Sequence, residues 1–434
     1  MKFTIETAAL RGALKKCALV TERRRTIPVL SFVKIEAHHD EIVITATDLE
    51  RVLTLRVDGS GTGSALVHLQ TLRGIVDKAS GTLTGSVENE TLTLAADKGR
   101  FTVDAMDPDE WPTFAHGKAV SGFKINAQEL GWGLERCEGS ICKEETRLYL
   151  CGVFLHWGTF RKYTGLACAA TDGHRLTRAQ LPECSPIGKA MGPEKLACIV
   201  PRKSVHVLVR LITPGPGDDR ETYDDEVKVR QSDTGRLDIE AETWRLSTKC
   251  IDGTFPDYTK IFDGLGKPSS RFTVDTADLA AALKRLKAMR GGTVTVQIPG
   301  DGNTHFHAKD EGVEACETIE GATVGPASYV GLKLENLTHV AAMADGPEIT
   351  AAYTDPSSPV LFDMPDHGGH LLHLIMPVRV EAPEAVTVNA SQGKQATKRL
   401  PPPPPPSVAA KPKRKPPKAA TPAADIKGEF IPVK

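Results

Sequence analysis

The chain has 434 residues, 40% of them hydrophobic, enough to bury several cores, and at roughly 100–200 residues per domain it divides into two to four units. No run of about 18 apolar residues occurs, and the start Met1-Lys2-Phe3-Thr4-Ile5 lacks a signal-peptide layout, so a membrane partner is not expected and a cytoplasmic protein is. The formal net charge of -1 conceals a division: residues 381–434 carry a net of +6 and leave a net of -7 on residues 1–380.

From the amino terminus, Phe3 and Ile5 alternate as in a strand, and Leu10 and Leu14, four apart, share a helix face. Residues 27–37, 41–46 and 51–57 read as strands rich in Val, Ile and Leu, with turns at 38–40 and near Asp48. Residues 66–78 place Leu69, Leu72, Ile75 and Val76 on one side of a helix, and strands follow at 92–96 and 100–105. Then the pattern restarts. Phe123, Ile125, Leu130 and Leu134 repeat the opening register, with helices expected at 129–137 and after Pro201, where Val205, Leu208, Val209 and Ile212 line up. Phe272, Val274, Leu279 and Leu283 open a third copy, with helices at 276–289 and 332–343. The copies start 120 and 149 residues apart, too far for a solenoid repeat of about 20–50 residues.

Other landmarks recur in the same order. Ala46-Thr47-Asp48-Leu49-Glu50-Arg51 is echoed by Ala170-Thr171-Asp172-Gly173-His174-Arg175 and faintly by Ala308-Lys309-Asp310, while Trp111-Pro112, Phe255-Pro256 and Met376-Pro377 close the copies. The expected fold class is α+β: three similar domains at 1–117, 120–262 and 268–380, each an antiparallel sheet with two helices on one face. The tail, 381–434, holds the proline run 401–406 and Lys411-Pro412-Lys413-Arg414-Lys415-Pro416-Pro417-Lys418. With so few large apolar residues it cannot build a core and is expected to be disordered, with polyproline II character near the prolines.

Chemistry is sparse. Nine cysteines, an odd number without Cys-x-x-Cys spacing, suit a reducing compartment and argue against a zinc site or a disulfide frame; Cys137 and Cys142 read as buried or half-buried thiols. No metal or cofactor is expected. Asp172 beside His174 suggests an oriented imidazole, but no nucleophile or metal partner accompanies them, and an Asp-Gly turn between two strands is favoured over an enzyme. Cations are placed on the helices instead: Arg11, Lys15 and Lys16 on the first, Arg202, Lys203 and Arg210 on one of the second copy, Lys284, Arg285, Lys287 and Arg290 on one of the third, with Arg23, Arg24 and Arg25 in a basic turn. Solvated helix faces explain such residues one at a time; their recurrence on an acidic body also suits a surface that follows a phosphate backbone without reading bases.

The heptapeptide 170–176, with Ile27-Pro28-Val29-Leu30, Thr47-Asp48-Leu49-Glu50, Val200-Pro201-Arg202-Lys203, Gly253-Thr254-Phe255-Pro256-Asp257-Tyr258 and Met376-Pro377-Val378-Arg379, resembles the bacterial sliding clamp family, the beta subunit of DNA polymerase III, over residues 1–380. The resemblance implies three clamp domains per chain and two chains joined head to tail in a ring, helices inward. It implies a non-catalytic processivity factor that encircles double-stranded DNA without sequence preference and tethers the replicative polymerase. A homologue specialised for repair or a mobile element is the alternative, and an enzyme using Asp172 and His174 a remote one.

Residue by residue, the resemblance places Arg24, flanked by Arg23 and Arg25, and Leu148 and Tyr149 at DNA contacts; Gln70 and Glu144 depart from the family there, which leaves more to Arg202 and Lys203. It places Leu150, Thr171, Gly173, His174, Arg175, Leu176, Pro256, Ile261, Leu374, Met376, Pro377, Val378 and Arg379 around a groove for short peptides, with an apolar slot and with His174 and Arg175 as polar handles at the rim. Lys260 and Asn336 differ from the family's usual residues. The implied occupants are the DNA polymerase III alpha subunit, the clamp loader, and other polymerases and repair proteins. Phe101, Ala288 and Met289 fall at the implied dimer interface, with a core role as the competing reading of Phe101. The tail is expected either to tether DNA or to fold back over the groove, with a plain solubilising or linker role as the competing reading.

Overall fold

The computed structural model describes residues 1–21, 27–96, 99–115, 117–160, 163–181, 184–187, 192–214, 224–289, 292–300, 302–310, 312–366, 369–382, 384–387 and 396–399. The first repeat runs β1 (Lys2–Glu6), α1 (Thr7–Cys17), a 3-10 turn (Pro28–Ser31), β2 (Phe32–Ala37), β3 (Glu41–Thr47), β4 (Arg51–His68), α2 (Leu69–Val76), β5 (Thr82–Glu88), β6 (Thr91–Ala96) and β7 (Gly99–Met106). The second runs β8 (Ala119–Asn126), α3 (Ala127–Glu138), a 3-10 turn (Glu145–Leu150), β9 (Gly152–Phe160), β10 (Tyr163–Thr171), β11 (Arg175–Gln180), β12 (Ser185–Pro186) and β13 (Ala197–Pro201). It continues with α4 (Arg202–Ile212), β14 (Glu226–Ser232), β15 (Arg236–Glu240), β16 (Trp244–Lys249) and the short α5 (Thr259–Asp263). The third is β17 (Ser270–Asp275), α6 (Thr276–Leu286), β18 (Thr293–Ile298), β19 (Asn303–Asp310), β20 (Val313–Val324), β21 (Ser328–Lys333), α7 (Leu334–Met343), β22 (Glu348–Tyr353), β23 (Val360–Asp366) and β24 (Gly369–Ile375).

The repeated register is the core. Phe3, Ile5, Leu10, Leu14 and their eight counterparts are all 4% exposed or less, and each contributes about 1.5–3 kcal/mol by leaving water. In each repeat the opening helix packs on the second one, α1 on α2, α3 on α4 and α6 on α7. Several boundaries differ from expectation. The strand expected at 27–37 begins only at Phe32, because Pro28 opens a 3-10 turn and has no N–H to give a ladder. The helix expected at 66–78 starts at Leu69, since Leu66 and Val67 are held in β4 by β2 and β7, and His68 Nδ1 caps the helix by accepting the Thr71 N–H. For the same reason Leu332 belongs to β21, paired with Val294. α6 stops at Leu286 rather than Met289, where Lys287 caps it and the Ala288 and Met289 N–H groups donate to the Arg285 and Leu286 carbonyls in a tighter turn.

Two twelve-stranded antiparallel sheets run across the repeat junctions. β4 of the first repeat pairs with β16 of the second, from Leu55 opposite Trp244 to Arg51 opposite Thr248. β11 of the second pairs with β24 of the third, from Arg175 opposite Ile375 to Ala179 opposite Leu371. The same kind of strand meets the same kind of strand twice. All nine cysteines are free thiols, Cys137 and Cys142 buried among them. In the tail, β25 (Glu384–Thr387) pairs antiparallel with β26 (Ala396–Arg399), and residues 400–434 lie outside the described residues.

Candidate partner groove and nucleic-acid surface

The motif Thr171-Asp172-Gly173-His174-Arg175 is the turn from β10 to β11, and its side chains hold their own backbone. Thr171 Oγ1 donates to the Arg175 carbonyl (2.7 Å) and accepts the Gly173 N–H (3.1 Å). Asp172 Oδ1 accepts the His174 and Arg175 N–H groups (2.9 and 3.0 Å), and its Oδ2 accepts Arg175 Nε–H (3.1 Å). Gly173 sits at φ 90°, where a side chain is strained. The Asp172 carboxylate is thus engaged within the turn and does not orient an imidazole, and among the described residues no group of three or more His, Cys, Asp or Glu could hold a metal. His174 is exposed; Arg175 is not the rim handle expected of it, because its guanidinium is buried against Asp172.

Next to this turn, Met376 N–H donates to the His174 carbonyl (2.8 Å), and Val378 N–H donates to the Gly331 carbonyl (2.9 Å) on the edge of β21. The segment from Met376 to Arg379 is thereby strung between the second and third repeats. Its Met376 is 40% exposed. Beneath lies an apolar cluster separate from the main core, which brings together Leu150, Leu176 and Leu374 with Cys142, Phe160, Ile199, Leu372 and the aromatics Phe255, Tyr258 and Phe262. Pro256 and the exposed Ile261 stand on that aromatic segment, beside the cluster that holds Leu150, Leu176 and Leu374. Lys260 is exposed and pairs with Asp257 (3.3 Å), whereas Asn336 is buried on α7 and offers nothing to a rim.

The floor contains residues that the sequence reading missed. Phe154 stacks on Phe255 with centroids 4.9 Å apart. Arg178, fully buried, lies 4.4 Å over the Phe160 ring, donates through Nε to Tyr258 Oη (3.2 Å) and through an Nη to Gln180 Oε1 (2.6 Å). His156 Nε2 meets the same Tyr258 hydroxyl (2.9 Å), and burial above all, with Arg178 adding to it, pushes the imidazole down to about 4. The spacing of Phe255, Tyr258 and Phe262, at i, i+3 and i+7, was the available signal for this floor.

The first repeat carries the same turn. Thr47 Oγ1 donates to the Arg51 carbonyl (2.7 Å), Asp48 accepts the Arg51 N–H (2.7 Å) and guanidinium, and Lys249 N–H donates to the Glu50 carbonyl (2.9 Å) as Met376 does to His174. Yet among the described residues it builds no separate apolar floor. Where Leu176 faces Leu374, Val52 faces Ser247, and Arg236 crosses over to donate to Ser247 Oγ (3.1 Å) and to the Glu50 carbonyl (3.3 Å).

The candidate DNA residues divide differently. Arg23, Arg24 and Arg25 lie outside the described residues, as does Arg290. Leu148 and Tyr149, 59% and 41% exposed, project from the 3-10 turn between α3 and β9, and that loop adjoins the first turn of α4 through the Arg202 N–H to Cys151 carbonyl bond (3.0 Å). Arg202 and Lys203 are exposed there, and Gln70 is exposed at the matching second position of α2. Glu144, also in the loop, is neutralised by Arg147 (2.5 Å), which in turn donates to the Asp172 carbonyl (3.5 Å) and ties the loop to the groove turn. Arg11 is a correction: its guanidinium donates to the Val76 and Ala79 carbonyls (3.0 and 2.6 Å) and so caps the end of α2 rather than facing a phosphate.

Phe101 is 39% exposed on β7, which removes the core reading; Ala288 is exposed and Met289 half-buried after α6. β7 pairs with β6 along 99–104 and with β4 only at its last two residues. β20 pairs with β19 along 313–320 and with β17 only from Gly321 on, and its Val313 is 56% exposed. Among the described residues the other flank of each strand carries no partner strand over those stretches.

Residues 1–115 match the family model of the DNA polymerase III beta subunit, N-terminal domain, and residues 124–257 match that of its central domain. The chain is 30% identical over 390 residues to the beta sliding clamp of Caulobacter vibrioides, spanning 88% of this chain and all of that one, and 28% identical over 396 residues to that of Pseudomonas aeruginosa, with the same coverage. Among solved structures it is similar to the sliding clamps of Bartonella birtlesii and Pseudomonas aeruginosa bound to griselimycin, each at a TM-score of 0.77, with 25% and 26% identity over 88% of this chain and 100% of each. The three repeats, the shared register and the relatives matched end to end agree: the chain belongs to the bacterial beta sliding clamp family, the DNA polymerase III beta subunits.

Proposed function

We propose that this chain serves DNA replication as a sliding clamp in the cytoplasm: two copies close head to tail around double-stranded DNA, and the groove on each holds peptides of the polymerase alpha subunit, the clamp loader and repair proteins. The observation that carries the ring is the repeated junction. A last strand pairs with a fourth strand at β16–β4 and again at β24–β11, which leaves one last strand, β7, and one fourth strand, β20, for a second copy to satisfy. Two copies used head to tail leave no such edge over, and closure removes the liability of an open flank.

The domains fall at 1–117, 120–262 and 268–380, with the tail at 381–434. Arg202, Lys203, Leu148 and Tyr149 face the duplex, held diffusely through phosphates so that the ring slides, and the clamp raises processivity by keeping the polymerase at high local concentration. The groove reading extends to griselimycin, with which two similar clamps have been solved: it binds this chain over Leu176, Leu374 and Met376. The ring is tested by loading the protein onto circular nicked DNA with a clamp loader and then linearising the DNA. Release upon linearisation is expected; retention on free-ended DNA contradicts topological binding.

A further inference from the structure

The loop between α3 and β9 is closed at its neck by two thiols, and we propose that Cys142 and Cys151 form a reversible disulfide site, oxidised by a hydroperoxide, whose closure weakens the groove. Cys142 is buried in the groove floor with Leu150, Leu176 and Leu374; Cys151, half-buried, precedes β9. Both thiols converge on one acceptor, the Glu144 carbonyl, at 4.0 and 3.3 Å, which places the two sulfurs in one neighbourhood. Cys142 N–H also donates to the Leu150 carbonyl (3.0 Å), so its α-carbon and that of Cys151 are separated by one hydrogen bond and one peptide link, of the order a disulfide spans, about 4.4–6.8 Å. Cys198 and Cys250 are neighbours as well, but they flank the Ile199–Ile251 bridge diagonally, a spacing of about 7–8 Å that needs backbone movement to close.

The chemistry balances with a hydroperoxide as oxidant. The Cys151 thiolate attacks the outer peroxide oxygen, the O–O bond breaks, an alcohol or water leaves, and a sulfenic acid remains. The Cys142 sulfur then displaces the sulfenic oxygen as water, so that two thiols lose two electrons to the O–O bond and one S–S bond forms. Burial chiefly, and then Cys142, raise the Cys151 thiol above its ordinary value, with Glu145 adding slightly and Arg202 opposing, so the pair is slow to oxidise at neutral pH.

Closure draws the two sulfurs from their shared acceptor to a bond of about 2.05 Å. Cys142 is drawn from beside Leu150, and Glu144, whose carboxylate holds Arg147 against the Asp172 carbonyl, moves with the neck. The loop that exposes Leu148 and Tyr149 and the turn beside the groove are therefore displaced together.

The effect on binding rests on the groove reading above, and the test separates the two. The full-length protein is treated with hydrogen peroxide at about pH 8.5, where an ordinary thiol is half ionised, alkylated and mapped by mass spectrometry. A linked pair of peptides carrying Cys142 and Cys151, lighter by two hydrogens and released by dithiothreitol, is expected. Griselimycin is titrated against reduced and oxidised protein, with about fivefold weaker binding expected after oxidation, restored by reduction and absent in Cys151→Ser. No 142–151 link, a link that leaves affinity unchanged, or the same loss in Cys151→Ser overturns the proposal. Reduced protein that ignores griselimycin refutes the groove reading alone, because the peptide map reads the thiol pair independently.

Discussion

At the scale of single residues, the two equivalent turns differ at two positions, Gly173 against Leu49 and His174 against Glu50, and the first of these holds a positive φ in both, 90° and 76°. Leucine in that region is strained, so Leu49→Gly should raise stability by about 0.5–1 kcal/mol, while Gly173→Ala, whose new Cβ would also stand 3.1 Å from Arg147 Nη1, should lower it by about 1–2 kcal/mol. Thermal melts of both variants check the pair; opposite signs are the outcome that matters. The buried histidines make a second prediction. Burial first, and then Arg175 and Arg136, press His339 down to about 4, and burial and His339 press His373 well below its usual value. A base held neutral in the folded chain gains protons on unfolding below about pH 6.5, so stability is full above that and falls as pH drops towards about 4, by about 2 kcal/mol for His339 at pH 5, with His373 acting in the same direction. A melting temperature that does not change between pH 7 and 5 would contradict this. Residues of this kind, like Arg147 and Arg178, were opaque in the sequence, because their role depends on partners 25 and 80 positions away.

Among elements, the amphipathic helices and the three-fold strand-helix opening were legible, because their signal is local periodicity. Their ends were less so. Leu66, Val67 and Leu332 satisfy a helical pattern but are captured by neighbouring strands, a competition that only tertiary pairing decides. Likewise the family motifs marked the junction that carries the apolar cluster, but not why the other carries none. Ser247 in place of Leu374, with Arg236 drawn over it, fills the equivalent space with hydrogen bonds. The groove's own wall depends on a close approach: a Cβ on Gly331 would stand 2.5 Å from the Val378 carbonyl oxygen and from Val380 Cγ1. Gly331→Ala should push the segment from Met376 to Arg379 off the edge of β21 and weaken griselimycin binding about tenfold, while leaving melting within a few degrees. Isothermal titration checks it, and undiminished affinity would show that this wall is not part of the site.

For the whole molecule, the acidic body, the basic tail and the number of repeats could be counted in the sequence, but which strands join them could not, since every junction pairs residues well over a hundred positions apart. The proposed seam gives the clearest variant. Phe101→Asp would place a charge in the contact between β7 and β20, at about 3 kcal/mol or more for each seam, and the protein should sediment as a monomer at micromolar concentration. A dimer of unaltered stability would move the seam elsewhere. The unbroken sheets have one further effect. Within a chain, each junction is a ladder of five consecutive residue pairs backed by a packed core, so flexing there means shearing a sheet. Each copy should behave as a stiff arc with its compliance gathered at the two ends. In the proposed ring, a machine that prises two copies apart therefore has somewhere definite to pull, and a single parted seam would be gate enough for a double helix to enter.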